Sequence, residues 1–232
     1  MLMATTPLLT VTALEPQAHR PDRYNLYIDG AFALGLDEAV VVAEGLHVGS
    51  QLTSADLDEL KRRVAEHGLF DAALRFLAAR PRSRAEVRRR LLTPRAKKPA
   101  PDPAEVERVL DRLAESSLLD DGDFAAFWVE NRERFSPRSA RALGQELRQR
   151  GVSRETVDEV SQPERDAERA LEAGRQRLRA MAGTDYQTFR TRMGQFLQRR
   201  GFSYGVARET VRVLWAESGG TEGDDESESL DE

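Results

Sequence analysis

The chain has no cysteine among its 232 residues. That excludes disulfide scaffolds, thiol nucleophiles and thiolate metal sites, and it suits a reducing cytoplasm. Lysine is almost missing as well: Lys61, Lys97 and Lys98 are the only ones, so nearly all of the 35 basic side chains are arginines. Aromatic residues make up only 6% while charged residues reach 32%, which points to a solvated helical protein rather than a β-sandwich. The best apolar run is Ala39–Ala43, far below the roughly 20 residues that a membrane helix needs. The N-terminus lacks the basic residues that precede a signal-peptide core, so a cytoplasmic protein with no membrane partner is expected. No P-loop, no GxGxxG behind a strand and no GxSxG elbow occurs. His19, His47 and His67 show no ligand spacing and read as surface residues. The chain is therefore expected to have no catalytic, cofactor or metal site, and to be no enzyme.

What is present is a strong polarity of charge. The formal net charge of −5 hides an acidic head over residues 1–60 (2 basic, 9 acidic), a basic body over 61–216 (33 basic, 23 acidic) and a tail over 217–232 with 8 acids and no base. A net charge of +10 on the body points to polyanion partners. The preference for arginine suits planar phosphate or carboxylate recognition, although genomic base composition accounts for it equally well.

The head reads as β. Leu8–Leu14 alternates apolar residues with threonine, and Tyr24–Ile28, Asp29-Gly30 and Ala31–Leu36 form a hairpin signal. A short helix over Asp37–Ala43 follows, closed by Gly45. From Thr53 the period turns helical, with Leu57, Leu60, Val64, Phe70, Ala73, Leu74 and Leu77 in one stripe; Gly68 is expected to weaken or interrupt it. Further helix starts are read at Ser83-x-x-Glu86, Asp102-Pro103, Asp121, Ser136-Pro137, Ser153, Thr184-x-x-Gln187 and Ser203. Thr93–Pro103 reads as a basic, proline-containing loop, and the tail beyond Ser218 as disordered.

The strongest feature is internal repetition. Leu143–Ser153 and Met193–Ser203 match at six of eleven positions, and each copy is followed by Arg-Glu-Thr-Val, at Arg154–Val157 and Arg208–Val211. A fainter copy starts at Val87–Leu91. The unit is an apolar helix, a second helix ending in a basic pair and glycine, and a capped third helix. In that unit Arg150 and Arg200 sit where they favour the negative end of a helix dipole. The expected organisation is a β-rich region with a short helix (1–52), a long helix with the first repeat (53–117), a second repeat (118–162), a third (163–217) and an acidic tail (218–232). The fold class is mainly α: three tandem three-helix repeats in an elongated curved array, behind a small N-terminal β-hairpin region.

Three segments then carry a likeness: Ala73–Pro81 with Arg82-Ser83-x-x-Glu86-Val87, Leu118–Asp121 with Phe124-Ala125, and Glu146–Ser153. In this ordered combination the sequence resembles the RecX regulatory proteins over about residues 23–216. The resemblance implies a modulator of the RecA recombinase. Such proteins lie in the helical groove of the RecA filament on single-stranded DNA and inhibit its ATPase, strand-exchange and coprotease activities, in DNA repair, homologous recombination and the SOS response. Two departures stand out: Thr93-Pro94 and an enlarged basic loop replace the basic-Gly ending in the first repeat, and the acidic tail is foreign to the pattern.

The candidate filament- or DNA-contacting residues are Arg82, Arg84, Arg88 and Arg89 in the first repeat, Arg132, Arg134, Arg138, Arg141, Arg148 and Arg150 in the second, and Arg199 and Arg200 in the third. If equivalent helices face one way, they form a basic ridge. Trp128, Phe124, Phe127 and Trp215 sit at core spacing and read as packing residues. The expected partners are the RecA filament and, weakly and electrostatically, single- and double-stranded DNA; the chain itself is expected to be a monomer. The alternative is a direct DNA-binding regulator whose three-helix units act like helix-turn-helix modules.

Overall fold

The computed structural model describes residues 7–94 and 100–219. Residues 95–99 of the loop 93–103 and most of the acidic tail thus lie outside the described residues.

The head is a four-stranded antiparallel sheet. Strands β1 (Leu9–Gln17), β2 (Arg20–Ile28), β3 (Ala31–Asp37) and β4 (Gln51–Leu52) lie in the order β3-β2-β1-β4. The expected hairpin closes through Asp29 and Gly30, at φ 48° and 81°, with Ile28 paired to Ala31; two left-handed residues in a two-residue loop match the twist of the strands. The Asp29 carboxylate accepts the Thr10 N–H at 3.0 Å and the Thr12 hydroxyl accepts the Gly30 N–H at 3.0 Å, which ties the turn to β1. Nothing in the sequence pattern marks β4, since two residues cannot display alternation. Val11, Leu26, Ile28 and Leu36 bury themselves with Val40 of α1 (Glu38–Ala43), Leu46 and Leu60 of α2 (Ser54–Leu77).

Helix α2 runs unbroken through Gly68, against the expected interruption. The glycine side is open, so its cost is the usual ~1 kcal/mol against alanine. The paired charges of Arg62 with Glu59 and Glu66 offset part of that. The helix opens with a reciprocal box: Thr53 Oγ1 accepts the Asp56 N–H at 3.1 Å, and Asp56 Oδ2 accepts the Thr53 N–H at 2.8 Å. These bonds hold the Asp56 carboxyl below its ordinary pKa.

The remaining helices are α3 (Arg84–Leu92), α4 (Pro103–Glu115), α5 (Asp121–Phe135), α6 (Ala140–Gln149), α7 (Arg154–Ser161), α8 (Asp166–Leu178), α9 (Tyr186–Arg199) and α10 (Tyr204–Glu217). Backbone contacts divide the chain into two compact bodies, Met1–Ala78 with Leu91–Leu113 and Ala79–Arg90 with Ala114–Glu232, so the chain crosses between them just after α2, inside α3 and inside α4. In the first body, α4 buries Val106, Val109, Leu110 and Leu113 at helical spacing. In the second, α5–α7 share one core around Phe124, Leu143, Leu147 and Val157, and α8–α10 share another around Phe189, Met193, Leu197 and Leu214.

Three helix starts differ from the sequence expectation by one to three residues. Asp120, not Asp121, caps α5, accepting the N–H groups of Gly122 and Asp123. Ser139 caps α6, because the Ser136 N–H closes α5 on the Arg132 carbonyl at 2.8 Å and Ser136 therefore belongs to the preceding helix. Asp185 caps α9, while the Thr184 hydroxyl turns back to the Met181 carbonyl. In each case a better-placed acceptor next door wins. Ser153 and Ser203 cap α7 and α10 as expected. The two Arg-Glu-Thr-Val copies are offset relative to these caps by about one helical turn: Arg154 is the first residue of α7, whereas α10 already starts at Tyr204. Val157 and Val211 are nevertheless both buried, because a shift of four residues nearly preserves the face.

Candidate arginine-rich interface

In the second body, α3 and α6 are each finished by residues of the next repeat. The Arg84 N–H, first of α3, donates to Asp121 Oδ1 at 2.8 Å; the Ala140 N–H, first of α6, donates to Asp166 Oδ1 at 2.7 Å. At the same joints the Ser83 hydroxyl donates to the Arg150 carbonyl at 2.7 Å, and the Ser139 N–H to the Arg200 carbonyl at 3.2 Å. Gly151 (φ 82°) and Gly201 (φ 93°) end the incoming helices, and a Cβ on either would stand 2.4 Å from the Ala85 side chain or 2.5 Å from that of Ser139. The repeated glycine therefore serves close approach as well as the left-handed turn.

Asp121 thus caps a neighbouring helix rather than its own. Burial is the main cause that raises its carboxyl above the ordinary value, and the Arg84 N–H counteracts it. A raised acid favours the folded state when protonated, so its contribution is lost as pH rises through the folded pKa. We expect Asp121→Asn to keep the hydrogen bond and to gain on the parent protein in urea midpoint as pH rises above 3.8. Asp121→Ala should lose about 1 kcal/mol at neutral pH.

The joints sort the candidate arginines. The Arg150 guanidinium lies 3.7 Å from the Trp128 ring centre and donates to the Glu146 carbonyl at 3.1 Å, with Glu86 3.8 Å away. Arg132 also lies over the Trp128 ring, 4.7 Å from its centre, and bonds Glu146 at 2.8 Å. Arg138 reaches Glu146 at 3.1 Å, and the Trp128 indole N–H donates to it at 2.8 Å. Trp128 is therefore a packing residue, as expected from its spacing, and also an arginine platform. Arg200 lies 4.6 Å from the Phe196 ring centre and donates to the Ser136 hydroxyl and the Pro137 carbonyl. Burial and then Arg138, Arg132 and Arg177 push its guanidinium below the ordinary value. Arg82 and Arg84 are half-buried where α3 begins; burial lowers Arg82 as well. Arg88, Arg89, Arg134, Arg141, Arg148 and Arg199 are exposed.

Three features escape the sequence reading. Arg169 is 3% exposed and donates to the carbonyls of Ser161 and Gln162, the end of α7, and to Glu133. Its signal lies in Gln162-Pro163: proline has no N–H, so the last carbonyls of α7 need donors from elsewhere. Arg177 belongs to a cationic cavity between α8 and α9. His67, expected to have no ligand partners, comes together with Asp37 and Asp71, their ligand atoms all within 4.8 Å; only Asp71, four residues along the same helix, was within reach of sequence spacing. The three could hold a divalent cation, in competition with Arg23, whose Nε is 3.3 Å from Asp37. Among the described residues no helix is long and apolar enough to cross a membrane.

Comparison with known proteins matches four family models in order: the Regulatory protein RecX N-terminal domain at residues 9–53, and the first, second and third RecX three-helix domains at 70–93, 120–160 and 164–211. The chain is 39% identical over 143 residues to the regulatory protein RecX of Mycobacterium avium, covering 60% of this chain and 79% of that protein. It is 28% identical over 215 residues to that of Lactobacillus johnsonii, covering 91% and 76%. The match to the Listeria welshimeri protein, at 27% identity, spans 62% of that relative's length. Among solved structures, a crystal structure of regulatory protein RecX shares the fold with a TM-score of 0.65 at 24% identity, over 88% of this chain and 99% of the other. RecX from Lactobacillus salivarius aligns with a TM-score of 0.52 at 18% identity, over 64% and 96%.

Proposed function

The chain belongs to the RecX family of regulatory proteins, and from that premise we propose that it is a negative regulator of RecA. In this reading it binds the RecA filament on single-stranded DNA, in the helical groove, and inhibits ATP hydrolysis, strand exchange and coprotease activity. It acts by binding rather than catalysis, as a monomer, with the segments 53–117, 118–162 and 163–217 as its repeat units. A ligand that bridges neighbouring protomers resists the conformational cycle coupled to hydrolysis in proportion to its preference for one state.

The observation that carries the reading is the exposure of Arg141 and Arg148 on α6, in a segment where Arg132, Arg138 and Arg150 are engaged with Trp128 and Glu146. A guanidinium that already holds Glu146 cannot serve an outside anion without giving up that bond. Arg88, Arg89, Arg134 and Arg199 extend the exposed set. Contact with DNA phosphates through such residues is sequence-blind and weakens steeply with salt.

The test is a RecA ATPase assay on single-stranded DNA. The protein should suppress hydrolysis, and the double variant Arg141→Glu/Arg148→Glu should need at least about tenfold more protein for half-inhibition, a loss of about 1.4 kcal/mol. Unchanged hydrolysis at saturating protein refutes the regulator reading. Equal inhibition by the variant refutes the assignment of these arginines.

A further inference from the structure

The two joints of the second body differ in one carboxylate. In the first, Glu86 stands three residues after Ser83 and faces Arg150 at 3.8 Å. In the second, the residue three after Ser139 is Ala142, and among the described residues Arg200 takes only the neutral oxygens of Ser136 and Pro137. Elsewhere in this body Arg80, Arg132, Arg138, Arg165, Arg169 and Arg175 each face a carboxylate.

Beside Arg200 lies a cavity of about 170 Å³ between the end of α8 and one face of α9. Arg177, Arg192 and Arg199 line it with Gln195 and Phe196, and no carboxylate does so among the described residues. Arg192, Gln195, Phe196 and Arg199 follow the helical i, i+3, i+4, i+7 pattern, so α9 presents them together. The Phe196 ring carries a guanidinium at 5.9 Å, from Arg177, and another at 4.6 Å, from Arg200. Like charges gathered on one aromatic ring and around a concave lining without a carboxylate repel one another until an anion enters. The volume suits a single tetrahedral oxyanion, and forked guanidinium donors match its oxygens.

We propose that this cavity is a phosphate site, with Arg177, Arg192 and Arg199 as ligands, Gln195 as a neutral donor, and Arg200, 4.6 Å from the Phe196 ring centre, supplying additional positive potential. The phosphoryl group would come from a phosphodiester of single-stranded nucleic acid or from a free nucleotide or inorganic phosphate. The site shares Arg199 with the exposed set of the proposed function but does not require RecA, so it is tested without RecA.

Binding of a fluorescein-labelled oligo-dT is followed by anisotropy at low and moderate salt, and binding of inorganic triphosphate by calorimetry, on the full chain. Arg192→Ala and Arg199→Ala should each weaken the bound phosphate probe at least fivefold, whereas Arg154→Ala, the same charge change on exposed α7, should stay within twofold. Ala142→Glu, which gives the second joint the acid that the first one has, should weaken it at least threefold; thermal melting checks that this variant folds, and otherwise the two arginine variants decide. Competition of triphosphate with oligo-dT assigns the source to either phosphate class, while oligo-dT binding alone assigns it to a strand. Absence of binding to both probes, or equal losses in Arg154→Ala and Arg192→Ala, overturns the proposal.

Discussion

Replacing Arg169 with methionine should lower the unfolding free energy of the second body by about 3 kcal/mol, toward the lower end of what removal of one partner from a buried ion pair costs. The side chain of Arg169 is only 2% exposed, and it is the donor on which the Ser161 and Gln162 carbonyls depend. Methionine preserves much of the volume but leaves those carbonyls, and Asp166, whose Oδ1 lies 3.6 Å from Arg169 Nη1, without that cation. Glu133 suffers less, because Arg165 still reaches it at 3.0 Å. Arg165 is 43% exposed, so Arg165→Met should cost no more than about 1 kcal/mol. Urea unfolding followed by tryptophan fluorescence reads both variants, since Trp128 and Trp215 both lie in the second body. Equal losses in the two variants would show that burial does not set the contribution of Arg169.

A comparable loss, about 2–4 kcal/mol, is expected for Gly151→Ala, combining the strain of an L-residue in the left-handed region with overpacking against a neighbour. The added Cβ would stand 2.4 Å from that of Ala85, with φ at 82°. Either the joint opens, which stretches the Ser83–Arg150 hydrogen bond, or α6 ends differently. Gly194→Ala is the contrasting case: it lies inside α9 with nothing within 4 Å of the new methyl, and should stabilise by about 0.5–1 kcal/mol. Urea midpoints that fall for the first and rise for the second would locate the constraint at the joint rather than in glycine as such.

Much of this architecture is written locally in the chain. The hairpin follows from Asp29-Gly30, the helix boundaries follow from capping residues to within three positions, and the repeat follows from the likeness of Leu143–Ser153 to Met193–Ser203. What sequence reading misses is reciprocal. Asp121 looks like the cap of its own helix, yet its carboxylate serves Arg84, 37 residues earlier. Ser136-Pro137 carries a start signal, yet Ser136 is occupied in closing α5. Local chemistry shows that an acceptor is present; only the packing of consecutive repeats decides which donor receives it. The candidate interface divides in the same way. A run of arginines is visible in the sequence, but the separation of Arg132, Arg138 and Arg150 from the exposed Arg141 and Arg148 depends on Trp128 and Glu146, which come from two helices. Composition counts charges, and tertiary structure commits them.

The borrowed caps have a consequence for the order in which the protein is made. Synthesis delivers α3 before the residue that satisfies its first N–H, and the carbonyl that receives the Ser83 hydroxyl arrives 67 residues later. At about 5–20 residues per second that delay is several seconds on the ribosome. During it the start of α3 has its Ser83 cap but not Asp121, and a helix of nine residues is too short to persist on its own propensity. The first two repeats are thus completed backwards in time, by the first helix of the next repeat and by the end of its second, and a nascent chain halted between residues 93 and 120 would hold a first repeat that water still competes to unwind.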